Sequence, residues 1–359
     1  MGAVQQIDDV TSIGPRRAGS EAERRAARLI EARLRELGRD AEVEPMRVRP
    51  GFAVTHLIHA VAGVVASVLS VYQPAAGLLL GGVATVSAIG DLTGSFFLVR
   101  SLTPLRASQN VVSDEDGDKP GLIVLVAHYD APLTGMLADR RLSWWPRALV
   151  ISLGLITFCA LGRLAGVEAT WFTIIQFIPT VVLIALTPVF ADTAISDTAD
   201  GDADNAAGVT AALQLAESHS GRLAHFDLML VFTGASAHFG LGMREWLKSH
   251  RKDLDTEATA VISLDNIAGG ETSYAVKEGA VFVSRMHPTL IEIASELDAT
   301  TFEPREVSDS YLTRSAGLPT LRVSAPEGDS VDPDTFRRTC DFTAALLEKI
   351  DDEIGPRLA

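Results

Sequence analysis

Two long stretches of this chain carry almost no polar punctuation, while the rest alternates short apolar runs with charged helical segments. From Gly51 to Gly90 there is no Asp, Glu, Lys or Arg, and only Tyr72, Gln73 and Pro74 interrupt the run. This pattern predicts two helices joined by a tight turn, each long enough to cross a hydrocarbon layer at roughly 1.5 Å per residue. A second apolar block follows Trp144, Trp145 and Pro146, running from Ala148 to Gly162, breaking at Arg163 to Glu168 and resuming from Ala169 to Ala191. A helix buried in a soluble core usually keeps one polar face. These four segments show almost none, so two transmembrane hairpins are expected, within 51–100 and 144–191.

The pieces that remain, 1–50, 101–143 and 192–359, are each too incomplete to fold alone and are expected to form one domain. The segment from Gly19 to Leu37 places Ala26, Leu29, Ile30, Leu34 and Leu37 at helical spacing, with Ser20 and Glu23 as a capping box. GLIVLVAHYDAP, DLMLVFTG and TAVISLDNIAG are continuous apolar runs ending in polar residues, the signature of buried strands. Helical patterns in NAAGVTAALQLAESH and GMREWLKSHRK follow. Strands alternating with helices predict an α/β fold with a central sheet flanked by helices. Ligand sites in such folds gather at strand carboxyl ends, where His128, Ser236 and Asp265 fall.

Composition sharpens this picture in three ways. Hydrophobic residues make up 47% of the 359, more than a soluble core of this size needs. Arg47, Arg49, Arg100, Arg106, Arg140, Arg141 and Arg147 lie where the hairpins begin and end, and only Arg163 lies in a far-side turn. The positive-inside bias therefore puts the polar domain and both termini in the cytoplasm, in a multi-pass protein with a lipid membrane as partner. The first 50 residues lack the charged-then-apolar layout of a cleavable signal. A net charge of -15 argues against nucleic acid, which needs a basic surface. Cys159 and Cys340 have no ligand spacing and read as packing residues.

Five landmarks, in order, carry a family resemblance: IGPRRAGSEAE, LVAHYDAP, DADNAAG, ISLDNIAG and SDSYLTRSAGLP. Together they resemble the co-catalytic dizinc exopeptidases of the MH clan, the aminopeptidase and glutaminyl cyclase group. The resemblance implies a mixed sheet flanked by helices, with one zinc ion held by His128, Asp204 and Asp265. Asp130 would orient the imidazole, as carboxylates commonly do. One imidazole and two carboxylates also suit zinc or a similar divalent ion on chemical grounds alone.

The resemblance fails at the other half of the site. The family's paired glutamates, a general base and a second-metal ligand, align with Ser236 and Ala237 in TGASAHFGLGM, and its last histidine ligand aligns with Ser310. At most one zinc is therefore expected, and losing a general base typically costs on the order of 10² to 10⁴ in rate. This favours a degenerate peptidase-like protein with a binding or regulatory role toward a peptide or protein partner. The rival is an active membrane metallohydrolase using one metal and a base from outside the family pattern, for which His238, Asp309, Glu327 and Asp329 are candidates. Read singly, Asp204 is equally a helix N-cap, His128 a hydrogen-bonded strand-end histidine, and Asp265 a cap of the next loop. His56 and His59 are expected at the membrane interface, with an intramembrane polar contact to Asp91 as the alternative; Trp144, Trp145 and Trp171 suit interface anchoring, and Gly77 and Gly81 a close helix contact.

Overall fold

The computed structural model describes residues 3–354 apart from 116 and 329. The strands are β1 (Glu42–Val48), β2 (Arg106–Ser113), β3 (Gly121–His128), β4 (Phe226–Thr233), β5 (Thr259–Gly269), β6 (Ser273–Ala275), β7 (Lys277–Glu278), β8 (Ser284–Arg285), β9 (Thr300–Phe302) and β10 (Thr320–Pro326). The helices are α1 (Ala3–Thr11), α2 (Glu21–Glu36), α3 (Phe52–Tyr72), α4 (Pro74–Leu92), α5 (Trp145–Leu164), α6 (Thr170–Ile195), α7 (Ala207–His219), α8 (Leu241–His250), α9 (Pro288–Ser295), α10 (Asp309–Ser315) and α11 (Pro333–Lys349).

Eight strands form one mixed sheet in the order β1-β2-β4-β3-β5-β10-β6-β9, and β7 and β8 form a separate ribbon. The inner strands β4, β3, β5 and β10 are mutually parallel. Along β3, Ile123, Leu125 and Ala127 pack into a cluster with α2, α7 and α11, while Val124 and Val126 join a cluster with α8 and α10. A continuous apolar run is thus shared between two layers by the side-chain period of 2. This is the α/β architecture expected, with helices on both faces of a mixed sheet.

All four long apolar helices leave from one edge of that sheet. β1 is antiparallel to β2, β2 to β4, and β4 is parallel to β3, so β1 and β3 end on the same side. The hairpin α3–α4 is inserted between β1 and β2, and α5–α6 between β3 and the loop preceding α7. Each of the four is long and apolar enough to cross a membrane. Their faces are inverted relative to a water-soluble bundle. Ala60, Gly63, Ala66, Ser67 and Ser70 of α3 point inward, while Val54, Val61, Val65 and Val68 are exposed. Inside, the Gln176 side chain donates to the Ser67 carbonyl at 2.7 Å and the Ser70 hydroxyl at 2.8 Å, and Ser67 pairs with Thr180. Small residues and internal hydrogen bonds hold such a bundle where hydrophobic association between helices is weak.

Several local expectations shift. The helix α6 continues past 191 to Ile195, and the break in the second hairpin falls at 165–169. His56 and His59 are fully buried within the bundle, in the polar contact with Asp91 that the sequence left open: His56 Nε2 lies 3.4 Å from Asp91 Oδ1, and His59 Nε2 lies 2.8 Å from the Ser87 hydroxyl. Asp91 in turn accepts two hydrogen bonds from the buried Arg100, because a carboxylate inside a bundle needs a partner. Trp144 and Trp171 are exposed, but Trp145 is buried against His56 and Phe190. Gly77 packs so closely that a Cβ would lie 2.5 Å from the Ser70 backbone.

Candidate metal centre

Three ligand candidates converge at the carboxyl edge of the sheet. His128 ends β3, Asp265 lies within β5, and Asp204 sits in the loop before α7. His128 Nε2 is 2.9 Å from Asp204 Oδ1 and 3.4 Å from Asp265 Oδ1, and the ligand atoms of all three lie within 4.8 Å of one another. Among the described residues this is the one cluster of such side chains with that spacing. The donor set, one imidazole nitrogen and two carboxylate oxygens, fits zinc. Burial disfavours the charged imidazole, but Asp130, Asp204 and Asp265 outweigh it and hold the His128 pKa well above its usual range. A metal ion must therefore displace a proton there.

Asp130 contributes differently from the expectation. His128 Nδ1 is 3.1 Å from the Asp130 backbone carbonyl, whereas the carboxylate Oδ1 is farther, at 3.5 Å. That oxygen accepts from the Ser236 and Ala237 backbone N–H groups at 2.8 and 3.0 Å. The main chain thus supplies the nearer contact to the imidazole, and the carboxylate fixes the turn after β4. Asp204 is not a helix cap, because Asn205 takes that part: its Oδ1 accepts from the Gly208 N–H at 3.1 Å. The Asp204–Asn205 peptide is cis.

Three buried residues position the site in ways that sequence reading did not single out, although Arg16 and Glu23 lie within the first family landmark. Arg16, fully buried, donates to the carbonyls of Tyr129, Asp200 and Gly201 at 2.8, 2.9 and 2.7 Å, tying the Asp204 loop to the end of β3. Glu23, read from sequence as a capping-box residue, accepts from the N–H groups of Gly19 and Ala235 and from the Ser108 hydroxyl. Burial and Asp130 push its pKa up to about 8, although these donors favour the ionised form. Arg322 of β10 is 3% exposed and pairs with Asp265 Oδ2 at 3.1 Å, Glu278 at 2.9 Å and Glu306 at 2.7 Å. Burial opposes ionisation of Asp265, but Arg322 and His128 prevail and hold its pKa at about 2.

At the positions where the resemblance leads one to expect a second set of ligands, this chain has small side chains, one of them beside a buried ion pair. The Ser236 hydroxyl accepts from the Met243 N–H at 3.4 Å, turned toward the start of α8, and Ala237 presents only a methyl. Ser310 donates to Glu278, whose pKa burial raises to about 7 against the opposing charge of Arg322. The replacement bases fare unevenly. His238 accepts the Leu133 N–H at Nε2, 3.0 Å away, and burial lowers its pKa to about 4. Glu327 is exposed beside Gly270, away from the cleft, and Asp329 lies outside the described residues. Asp309 borders the cleft with a pKa raised to about 6 by burial; its carboxylate accepts from Thr233 at Oδ2 and is also favoured in its ionised form by the Ser236 hydroxyl.

Above the trio lies a cleft of about 600 Å³. His128, Asp204, Asp265 and Arg322 line it, and so do Phe52 from the first turn of α3 and Trp145 and Pro146 from the first turn of α5.

Residues 188–345 match the model of Peptidase family M28. Among solved structures, the chain is similar to an aminopeptidase from an Aneurinibacillus species (12% identity, 97% of this chain and 93% of the other, TM-score 0.53). It is also similar to a Zn-dependent exopeptidase from Parabacteroides distasonis (11% identity, 98% and 97%, TM-score 0.54) and to a glutaminyl cyclase from Tannerella forsythia (14% identity, 96% and 97%, TM-score 0.56). No curated protein matches the sequence. At these identities the structural likeness speaks for fold, and with the family match it gives the chain the zinc aminopeptidase and glutaminyl cyclase fold, resembling Peptidase family M28 over residues 188–345.

Proposed function

We propose that this chain is a four-span membrane protein whose cytoplasmic, peptidase-like domain holds a single zinc ion and binds a peptide or protein ligand without turning it over at the rates of its relatives. The observation that carries this reading is the asymmetry of the site. His128, Asp204 and Asp265 converge, while Ser236, Ala237 and Ser310 offer neither a second ligand set nor a glutamate base. Zinc held by the trio would supply a Lewis acid for a ligand carbonyl or carboxylate oxygen. Around it, the Asp130 carbonyl orients His128, Arg322 fixes Asp265, and Arg16 holds the loop of Asp204. The arginines at the hairpin bases support the cytoplasmic orientation.

Elemental analysis of full-length protein, loaded with zinc and desalted in detergent, tests the reading. One equivalent per chain is expected, falling to background in His128→Ala and Asp204→Ala. Two equivalents, or robust aminopeptidase activity abolished by His128→Ala, would overturn it. One observation favours hydrolysis instead, a buried carboxylate, Asp309, lining the same cleft as the metal trio. Under that reading, Asp309→Asn removes an activity that otherwise declines as the pH falls through about 6.

A further inference from the structure

The cleft combines polar and apolar lining. His128, Asp204 and Asp265 line it together with Phe52, Leu137, Trp145 and Phe239, two of them in the first turns of helices suited to the membrane. The turn of the β7–β8 ribbon lies against the start of α5. Ala280 lines the cleft there, and Arg147 at the start of α5 donates to the Gly279 carbonyl at 3.5 Å. The tip of that turn exposes Phe282 at 55% and Val283 at 51%. Two adjacent large apolar side chains are thus exposed on a short turn that is tied, through Gly279, to the base of a helix suited to the membrane. Arg140 borders the mouth with Arg141 beside it, a charge pattern suited to anionic headgroups.

We infer that the cleft is loaded from the bilayer surface: Phe282 and Val283 dip into the headgroup layer as one lip of the mouth, and the ligand is a membrane-anchored polypeptide whose polar terminus reaches the metal trio. This rests on the membrane-inserted, single-metal reading above and deepens it by naming the ligand class. Confinement to the same bilayer raises the local concentration of such a ligand, so its advantage over a free peptide is one of avidity as well as contact.

The test uses full-length protein in nanodiscs of phosphatidylcholine and phosphatidylglycerol, with two probes of the same short sequence. Both carry a photoreactive benzophenone near a free amino terminus, and one also carries a carboxy-terminal apolar helix. Mass spectrometry reads the cross-link yield to cleft residues 133–143, a readout that simple partitioning into lipid does not produce. At equal bulk concentration the anchored probe should label at least about tenfold more. Ala138→Trp, at an exposed position on the rim, should reduce both yields. Phe282→Asp with Val283→Asp should reduce the anchored yield several-fold more than that of the free probe. Equal labelling by the two probes, or an anchored yield indifferent to the double substitution, overturns the loading route. Zinc content is measured in parallel. If it stays at one equivalent while the probes label equally, only this inference fails; if zinc is absent from the wild type, the reading beneath it fails.

Discussion

Replacing Arg322 with methionine keeps most of the side-chain length and removes the guanidinium around which three carboxylates are arranged. Glu306 is 57% exposed at its side chain and can turn to water, so its pair contributes at most about 1 kcal/mol. Glu278 and Asp265 have no such escape, with side-chain exposures of 0% and 10%. Breaking a buried pair from one side costs about 3–5 kcal/mol, because the remaining charge stays desolvated. Glu278 also makes the loss depend on pH. Its folded pKa of about 7 lies above the ordinary 4.5, so its protonated form is favoured in the fold, and stability declines as pH rises between those values. Without Arg322 the folded pKa climbs further and the decline extends to higher pH, so the gap between variant and wild type widens from pH 6 to pH 8. Thermal unfolding of detergent-solubilised, chelator-treated protein, followed by tryptophan fluorescence, measures this. The midpoint should drop on the order of 5–10 °C at pH 7. A loss under about 1 kcal/mol, or a gap constant across that pH range, would show that these charges are not coupled as the geometry implies.

Three further outcomes follow from the same packing. Gly77→Ala drives a Cβ to 2.5 Å from the Ser70 backbone, whereas Gly82→Ala meets nothing nearer than Thr157 Cγ2 at 3.9 Å; melting should show a loss of about 1–3 kcal/mol in the first and little in the second, and equal behaviour would refute the close contact. Arg16→Met frees the Asp204 loop from three carbonyl anchors, and zinc affinity measured against a competing chelator should weaken about 10–100-fold; unchanged affinity would mean that the loop holds itself. Glu23, with a folded pKa near 8 against an ordinary 4.5, should make stability decline as pH rises across that interval, and Glu23→Gln should flatten this part of the profile; an unaltered slope would place the titration elsewhere.

The elements of the fold were legible because each rests on local rules. Uninterrupted apolar runs gave α3 to α6, continuous β-prone runs gave β3, β4 and β5, and Ser20 with Glu23 marked the start of α2. The three metal-ligand candidates were legible through their order relative to a family pattern, although they stand far apart in the chain. What the pattern missed were residues whose meaning comes from partners distant in sequence. Arg322 looks like an ordinary arginine until folding surrounds it with carboxylates, and Arg16, although it stands in a family landmark, shows its part only when folding surrounds it with carbonyls. Glu23 shows the same limit: capping grammar explains its bond near the helix start, not its reach to Ala235.

Hydropathy, periodicity and residue order by themselves determined which segments could sit in lipid, which form the sheet, and which side chains could bind a metal, since those depend on composition and spacing along one chain. Only the tertiary structure decided that Asp130 offers His128 its backbone carbonyl as the nearer contact, that Asp204 is freed from capping by Asn205, and that the starts of two apolar helices wall the cleft above the trio. Those outcomes depend on which groups lose water together, and desolvation is a property of packed neighbours that no local stretch of sequence contains.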